Sequence, residues 1–220
     1  MSKPSSTTNT SHFSRLPAFL VLLAALGLYV VLPKGLLLGP RYVIPVLEGI
    51  LAVLLGVFRP DRKFAKEIHI RALAISLIAL IALANLASVV LLVSGIVSGG
   101  QGLTGKHLVY SSGAIWLTNI LVYGLWFWEL DRGGPIRRGT PQEGYADLAF
   151  PQLTSPSLGP PNWVPTMIDY LYVALTNATA FSPTDTMPLS PLAKILMTGE
   201  SLVSMVTVVM VAARAVNILH

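Results

Sequence analysis

The chain has 220 residues, of which 53% are hydrophobic and only 11% charged, and its formal net charge is +5. Soluble domains are usually about a quarter charged, so the composition indicates an integral membrane protein with several spans. The chain has no cysteine, which excludes disulfides, thiol catalysis and cysteine-based metal sites. We assign the positive charge to loops beside membrane helices rather than to a surface that binds nucleic acid.

The first half of the chain is predicted to hold a polar leader and three membrane helices. Residues 1–15 are polar and rich in Ser and Thr, and we expect the apolar run behind them to be retained as a helix because it lacks a good cleavage site. Residues 16–107 form a three-helix region, whose apolar runs are near the roughly 20 residues that cross a hydrocarbon core. Its predicted spans are residues 16–32, 42–58 and 72–97. A basic connection, residues 59–71, joins the last two spans.

The second half, residues 108–220, is predicted to form a pore-like module. Its outer helix, residues 108–130, ends in the aromatic run 126–128, a composition typical of the lipid headgroup layer. Residues 131–165 hold seven prolines and five glycines, which exclude a helix through lipid. We therefore predict a water-side loop there, with one short helix near residues 145–150.

A short helix and a polar loop follow at residues 166–190. The helical part, residues 166–179, is roughly 21 Å long, which is short for a span but suits a half-helix that ends inside the membrane. Residues 180–188 are predicted to be non-helical, because Pro183 lacks an N–H and disfavours the helical conformation at the residue before it. A last apolar segment, residues 191–219, is the predicted inner helix.

Polar side chains gather in the loop between these two helices. The candidates for the lining of a filter are Thr176, Thr179, Ser182, Pro183, Thr184 and Asp185. The carboxylate of Asp185 either concentrates cations at a pore mouth or caps a turn at the membrane surface. A helix, a polar turn and a second helix in this order are the arrangement of a pore loop.

The stretch TNATAFSPTDTMPL, followed by Leu-Ala-Lys, resembles the pore loop of the potassium-channel superfamily. The family pattern is T-x-x-T-x-G-Y-G-D-x-x-P, with a basic residue near the start of the inner helix. The resemblance covers residues 166–217, and it aligns Asp185, Pro188 and Lys194 with the closing aspartate, the proline and the basic residue. It implies a homotetramer around one pore.

The resemblance breaks at the filter itself. Potassium filters use glycines because their backbone adopts unusual dihedral angles to aim carbonyls at the ion. Here Ser182, Pro183 and Thr184 replace the Gly-Tyr-Gly sequence. We therefore expect a tetrameric ion-conducting pore with a filter that is not of the potassium type, and the permeant ion is left open. The alternative is a six-span transporter or accessory membrane protein without a pore.

The fold class predicted is an all-α membrane protein with five spans and a re-entrant pore helix, or alternatively six spans. With a re-entrant loop and a cytoplasmic C-terminus, eleven of the 15 basic residues lie outside and four inside, whereas the positive-inside rule favours the reverse. Six full spans with both termini inside reverse that count, with eleven basic residues inside. A loop that enters from the cytoplasm also satisfies the rule.

Three further polar residues lie on the predicted inner helix, namely Glu200, Ser204 and Arg214. Glu200 and Arg214 are fourteen residues apart, or about four turns, so both can face one side. That side is either a lumen or a contact between subunits.

Three polar residues interrupt the other spans. Glu48 is either functional or close enough to the helix end to reach the interface. Asn85 and Asn119 either line a pathway or, more commonly for such residues, form hydrogen bonds between helices.

Catalytic and metal-binding patterns are missing from the sequence. The four histidines are isolated, and neither HExxH nor GxSxG occurs, so we expect no enzyme, no metal and no cofactor. The expected location is the cell inner membrane, as an integral multi-pass protein. The expected partners are lipid and further copies of the chain, and not nucleic acid.

Overall fold

Long helices dominate the chain, and an ordered loop covers one end of them. A computed structural model describes residues 16–37, 40, 42–47, 49–50, 64–98, 105–138, 140–141, 143–155, 157, 159–161, 163–179 and 185–218. The predicted leader, Glu48, most of the second predicted span and the predicted filter residues 182–184 lie outside these ranges.

The described part of the fold contains one small sheet, six helices with defined bounds, and further helical residues at 43–47 and 49–50. The helices are α1 (Leu16–Val31), α2 (Phe64–Val97), α3 (Gly105–Leu130), α4 (Pro151–Thr154), α5 (Met167–Thr179) and α6 (Pro191–Ile218). The strands are β1 (Leu148–Ala149) and β2 (Met187–Pro188), which pair antiparallel. Short 3-10 turns follow α1 and α3, at Lys34–Leu36 and Asp131–Gly133.

Within the described ranges, three helices are long and apolar enough to cross a membrane. These segments are His69–Val97, His107–Gly133 and Pro191–Ala212. The first apolar helix, α1, has 16 residues, or roughly 24 Å, and is shorter than a full span. The structure therefore describes a helical protein with three candidate spans.

Helix α2 begins earlier than the sequence predicted. The predicted basic connection extended to Arg71, but the helix already begins at Phe64. Alanine, lysine, glutamate and arginine are strong helix formers, and no proline follows Pro60 to stop the helix. The basic end of this segment is thus a helical extension of the span.

Helix α3 lies at the centre of the fold and packs against α1, α2, α5 and α6. It approaches α5 closely at Gly124, where a Cβ atom would lie 2.7 Å from Cδ2 of Leu171. A side chain at this position would push the helices apart, so the glycine permits the contact. Small residues have this role at many helix contacts in membranes.

A left-handed turn ends α3. Arg132, Gly133 and Gly134 have φ angles of 56°, 81° and 95°. Glycine adopts such angles without steric cost, so two of the three positions suit the turn. The chain then folds back over the end of α3 rather than continuing along its axis.

The buried carboxylate of Asp131 fixes this turn to the rest of the loop. Its Oδ1 atom accepts hydrogen bonds from the backbone N–H groups of Asp147 (3.0 Å) and Leu148 (3.3 Å). Its Oδ2 atom accepts one from the hydroxyl of Tyr170 on α5 (2.6 Å). One side chain thus joins the end of α3, the strand β1 and the start of α5.

A buried arginine completes this end of the molecule. The guanidinium of Arg138 donates to the backbone oxygens of Trp128 (2.5 Å) and Asp131 (3.3 Å). The Cζ atom of this guanidinium lies 4.7 Å from the ring centre of Tyr170, within the range of a cation–π contact. Arg71 reaches the same region from α2, because its guanidinium lies 3.5 Å from the backbone oxygen of Glu129.

One expectation about this region is shifted along the chain and another is wrong. The short helix expected near residues 145–150 lies at Pro151–Thr154, whereas residues 148–149 form strand β1, because Asp131 and the partner strand take their backbone groups. The aromatic run 126–128 was expected in the headgroup layer, yet Phe127 and Trp128 are 1% and 5% exposed and belong to the core. Phe127 lies near Leu148 of β1 and Ala193 of α6, and the guanidinium of Arg138 lies over the ring of Trp128.

Helix α6 is attached to the fold along a narrow stripe. Its buried residues recur at intervals of four and three, the spacing of a coiled-coil seam. They are Ala193, Met197, Glu200, Ser204 and Thr207. Only 17% of the residues in its most apolar 18-residue stretch are buried, whereas the corresponding share in α3 is 56%. Most of its surface therefore faces lipid or another chain.

We predict that Tyr170→Phe lowers the stability by about 1.5–3 kcal/mol, since it removes a hydrogen bond to a buried carboxylate. Burial raises the pKa of Tyr170 far above its ordinary value, so its hydroxyl stays protonated and donates at neutral pH. Thermal unfolding in detergent measures the effect. The control is Tyr172→Phe on the exposed side of the same helix, and equal unfolding temperatures for the two variants would contradict the prediction.

Candidate functional site

Helix α5 and the segment that follows it contain the residues that the sequence predicts to form a pore loop. Helix α5 begins in a capping arrangement, in which Asp169 Oδ2 accepts hydrogen bonds from the backbone N–H and the hydroxyl of Thr166. Tyr170 then contacts Asp131 at the end of α3. The observed bounds, Met167–Thr179, match the predicted 166–179 within one residue.

The far end of α5 lies deep along its neighbours. Asn177 contacts Glu200, which is nine residues, or roughly 14 Å, after the start of α6. Glu200 in turn contacts Asn119, which is twelve residues, or roughly 18 Å, before Asp131. Helix α5 thus runs from the Asp131 end of α3 towards the middle of α3 and α6.

The chain then returns to the end from which α5 started. Strand β2 pairs with β1, with Pro188 opposite Leu148. The N–H of Leu189 donates to the backbone oxygen of Asp147 (2.8 Å), beside the Asp131 carboxylate. Ser190 caps the next helix, since its hydroxyl accepts from the N–H of Ala193 (3.1 Å). Both ends of the 167–188 segment therefore lie at the same end of α3.

A buried polar cluster surrounds the deep end of α5; it consists of Asn119, Asn177, Glu200, Ser201 and Ser204. Asn177 Nδ2 donates to Glu200 Oε2 (2.7 Å) and to the backbone oxygen of Met197 (2.8 Å). The hydroxyl of Ser201 donates to Asn177, with Oδ1 at 3.1 Å and the backbone oxygen at 3.3 Å. Side chains of α6 thus satisfy the last turn of α5.

Helix α3 contributes one residue to this cluster. Asn119 Nδ2 donates to the backbone oxygen of Glu200 (3.1 Å) and to Oγ of Ser204 (3.0 Å). Asn119 is 2% exposed, and Glu200 and Ser204 are fully buried. Three helices therefore share one hydrogen-bonded network in an otherwise apolar region, and Asn119 has the second of the two roles considered for it, hydrogen bonding between helices.

The carboxyl group of Glu200 has few partners. Oε2 accepts from Asn177, but Oε1 has no hydrogen-bond partner, and none of the ion pairs among the described residues involves Glu200. An ionised carboxylate that is buried without a counter-charge is strongly destabilised. The neutral acid is therefore the form that fits this environment.

The predicted filter residues are only partly described. Thr176 and Thr179 are half-buried, and their hydroxyls donate to backbone oxygens of their own helix, including Tyr172 (2.8 Å) and Thr176 (3.1 Å). Asp185 is exposed. Residues 182–184, which carry the remaining candidates Ser182, Pro183 and Thr184, lie outside the described ranges.

The predicted inner-helix residues differ from expectation. Glu200 and Ser204 are buried within one chain, so they neither line a lumen between copies nor form a contact between them. The reason is that α5 and α3 cover the stripe of α6 on which both lie. Arg214 is on α6, and its side chain lies outside the described part.

Several residues of the site had not been singled out from the sequence. Asn177 and Ser201 join two helices, and Asp131 and Tyr170 join the loop to α5. The available signal was a polar residue at a position where a membrane helix is otherwise apolar. Their pairing could not be read from the sequence, because it depends on how the helices pack.

Comparisons with protein families, with curated proteins and with solved structures give no match for this chain. Among the residues that the structure describes, no group of three His, Asp or Glu side chains could hold a metal ion. The function is therefore argued from the geometry of α5, the returning segment and α6.

We predict that Glu200→Gln leaves the unfolding temperature unchanged or raises it. Glutamine keeps an oxygen that accepts from Asn177 and removes the cost of a buried ionisable group. Asn177→Leu removes the bonds between α5 and α6, and we expect it to cost about 1–3 kcal/mol. Thr176→Val is the control, since it loses hydrogen bonds only within its own helix. Strong destabilisation by Glu200→Gln would contradict the neutral-acid assignment.

Proposed function

We propose that this protein is a channel-like integral membrane protein, in which four copies form an ion-conducting pore. In this proposal α5 enters the membrane as a half-helix, and the segment after it returns to the same side. The observation that carries the proposal is the common position of both ends of residues 167–188, at the Asp131 end of α3. A full span would bring those ends to opposite sides.

The surroundings of the deep end of α5 also support a half-helix. Non-helical backbone is tolerated at membrane depth only where protein or a water-filled cavity surrounds it. The last carbonyls of α5 have such partners, because Thr179 donates to Thr176 O and Ser201 donates to Asn177 O. The C-terminus of a helix carries partial negative charge, so an inward-pointing C-terminus favours cations.

The exposed surface of α6 supports an assembly of several copies. Large apolar side chains cover the sides of α6 away from its buried seam. Those that are about half exposed or more include Ile195, Leu202, Met205, Val208 and Val209. In a tetramer of the potassium-channel type, the corresponding helices surround the lumen and contact their neighbours. A pore formed between chains would thus give this surface a role beyond contact with lipid.

The filter in this proposal differs from that of potassium channels. Ser182, Pro183 and Thr184 lack the glycines that aim carbonyls at a potassium ion. Side-chain hydroxyls are then the available ligands, and Asp185 is an exposed carboxylate next to them. We propose cations as the permeant class, because both Asp185 and the end of α5 carry negative charge or partial charge.

The basic residues favour a cytoplasmic entry of the pore loop. Arg71 contacts the end of α3, so the basic residues of α2 and of the loop lie on one side. They include Arg71 of α2 and Arg132, Arg137 and Arg138 of the loop, and Lys194 lies in the first turn of α6 near the same end. The positive-inside rule assigns such a side to the cytoplasm.

Cysteine labelling tests whether residues 167–188 return to the side from which α5 enters. Because the chain has no cysteine, each introduced cysteine is the only site that reacts. We predict that Tyr145→Cys and Leu189→Cys react with a membrane-impermeant maleimide from the same side of sealed vesicles. Both positions are exposed, at 100% and 50%. Val97→Cys, at the far end of α2 and 75% exposed, is the control for the opposite side. Reaction of residues 145 and 189 from opposite sides would show a span and support the transporter alternative.

Conductance tests the pore itself. We predict that the purified protein passes cation current in planar bilayers and that Asp185→Asn lowers the current several-fold at 10 mM salt. Near 1 M salt the two proteins should conduct alike, because the Debye length shrinks from about 30 Å to about 3 Å. The number of subunits is measured by native mass spectrometry. A monomer in lipid that passes no current would overturn the proposal.

A further inference from the structure

A cavity of about 320 Å³ lies between α2, α3 and α6, away from the returning segment. All three helices are candidate membrane spans, so the cavity lies at membrane depth. Its walls are mostly alanine, leucine and valine side chains, and no charged residue lines it. A bound ion or a charged headgroup would be left without a counter-charge there.

Two polar side chains of the cavity wall, Asn85 and Tyr123, form no hydrogen bond with another described residue. Asn85 is the more deeply buried of the two, at 3% exposed. A buried amide offers two N–H donors and one carbonyl acceptor, which are costly to leave unused. The neighbouring Asn119 differs, because its Nδ2 already donates to α6. Asn85 is thus available to a ligand, and Tyr123 lies on the same wall.

The depth of Asn85 narrows the class of ligand. It lies sixteen residues after His69 and twelve before Val97, near the middle of that candidate span. The ester groups of membrane phospholipids lie near the surface, so they do not reach this level. Most of the wall is apolar, so a ligand with a hydrocarbon body removes more apolar surface from contact than water would.

We infer that the cavity binds a neutral, membrane-soluble molecule with a carbonyl or hydroxyl group and a hydrocarbon body. The polar group bonds to Asn85, and the hydrocarbon body lies against Leu83, Leu86 and Val122 of the cavity wall. Trp126 also lines the cavity and reports on contact. Binding here does not depend on whether the protein conducts ions.

Fluorescence quenching tests this site with a defined probe. In a variant whose other three tryptophans are phenylalanine, 11-bromoundecan-1-ol should quench Trp126 saturably, with a half-saturation concentration at least tenfold below that of 1-bromoundecane. Asn85→Leu keeps the side-chain volume but removes the amide, so it should abolish this difference. Ala82→Leu narrows the cavity and should weaken quenching by both probes.

Photolabelling of the unaltered chain keeps the test independent of those substitutions. A long-chain alcohol with a diazirine group should label peptides of the cavity wall, and excess undecan-1-ol should displace it while undecane should not. Equal half-saturation for the two bromo compounds, an unchanged difference in Asn85→Leu, or labelling spread evenly over the exposed helix surfaces would each overturn the inference.

Discussion

A single buried carboxylate, that of Asp131, carries the connection on which the rest of the structure depends. It accepts hydrogen bonds from Tyr170 and from two backbone N–H groups of the loop. Three donors to one carboxylate offset the cost of removing the group from water. The position of α5, the pairing of β1 with β2 and the start of α6 all follow from this one attachment.

Each end of helix α5 is held by a buried carboxyl group, and the two groups differ in the number of their hydrogen-bond donors. Asp131 accepts hydrogen bonds from three donors and lies 3.8 Å from Nε of Arg132. Glu200, at the deep end, has one amide donor and no described ion pair, which suits the neutral acid. The loop end is thus held by a carboxyl group with several partners, whereas the deep end is held by one with a single donor.

Local sequence signals predicted the helices around the site well, and long-range packing was beyond them. The predicted bounds of these helices, 166–179 and 191–219, lie within one residue of those of α5 and α6, and Thr166 and Ser190 cap their starts. The contact of Asn177 with Glu200 was not predicted, because no spacing rule relates positions on two different helices. The burial of Phe127 was missed for the same reason, since its neighbours Leu148 and Ala193 come from distant parts of the chain.

The narrow seam of α6 has a mechanical consequence. Five residues at four- and three-residue intervals attach this helix, and they all lie on one line along its axis. A rod joined along one line resists sliding but has a soft torsional freedom about that line. Where the described seam consists of small or polar side chains, Ser204 and Thr207, little steric interlock opposes rolling. The part of α6 around these two residues is thus where the helix can turn about the seam while the core stays intact.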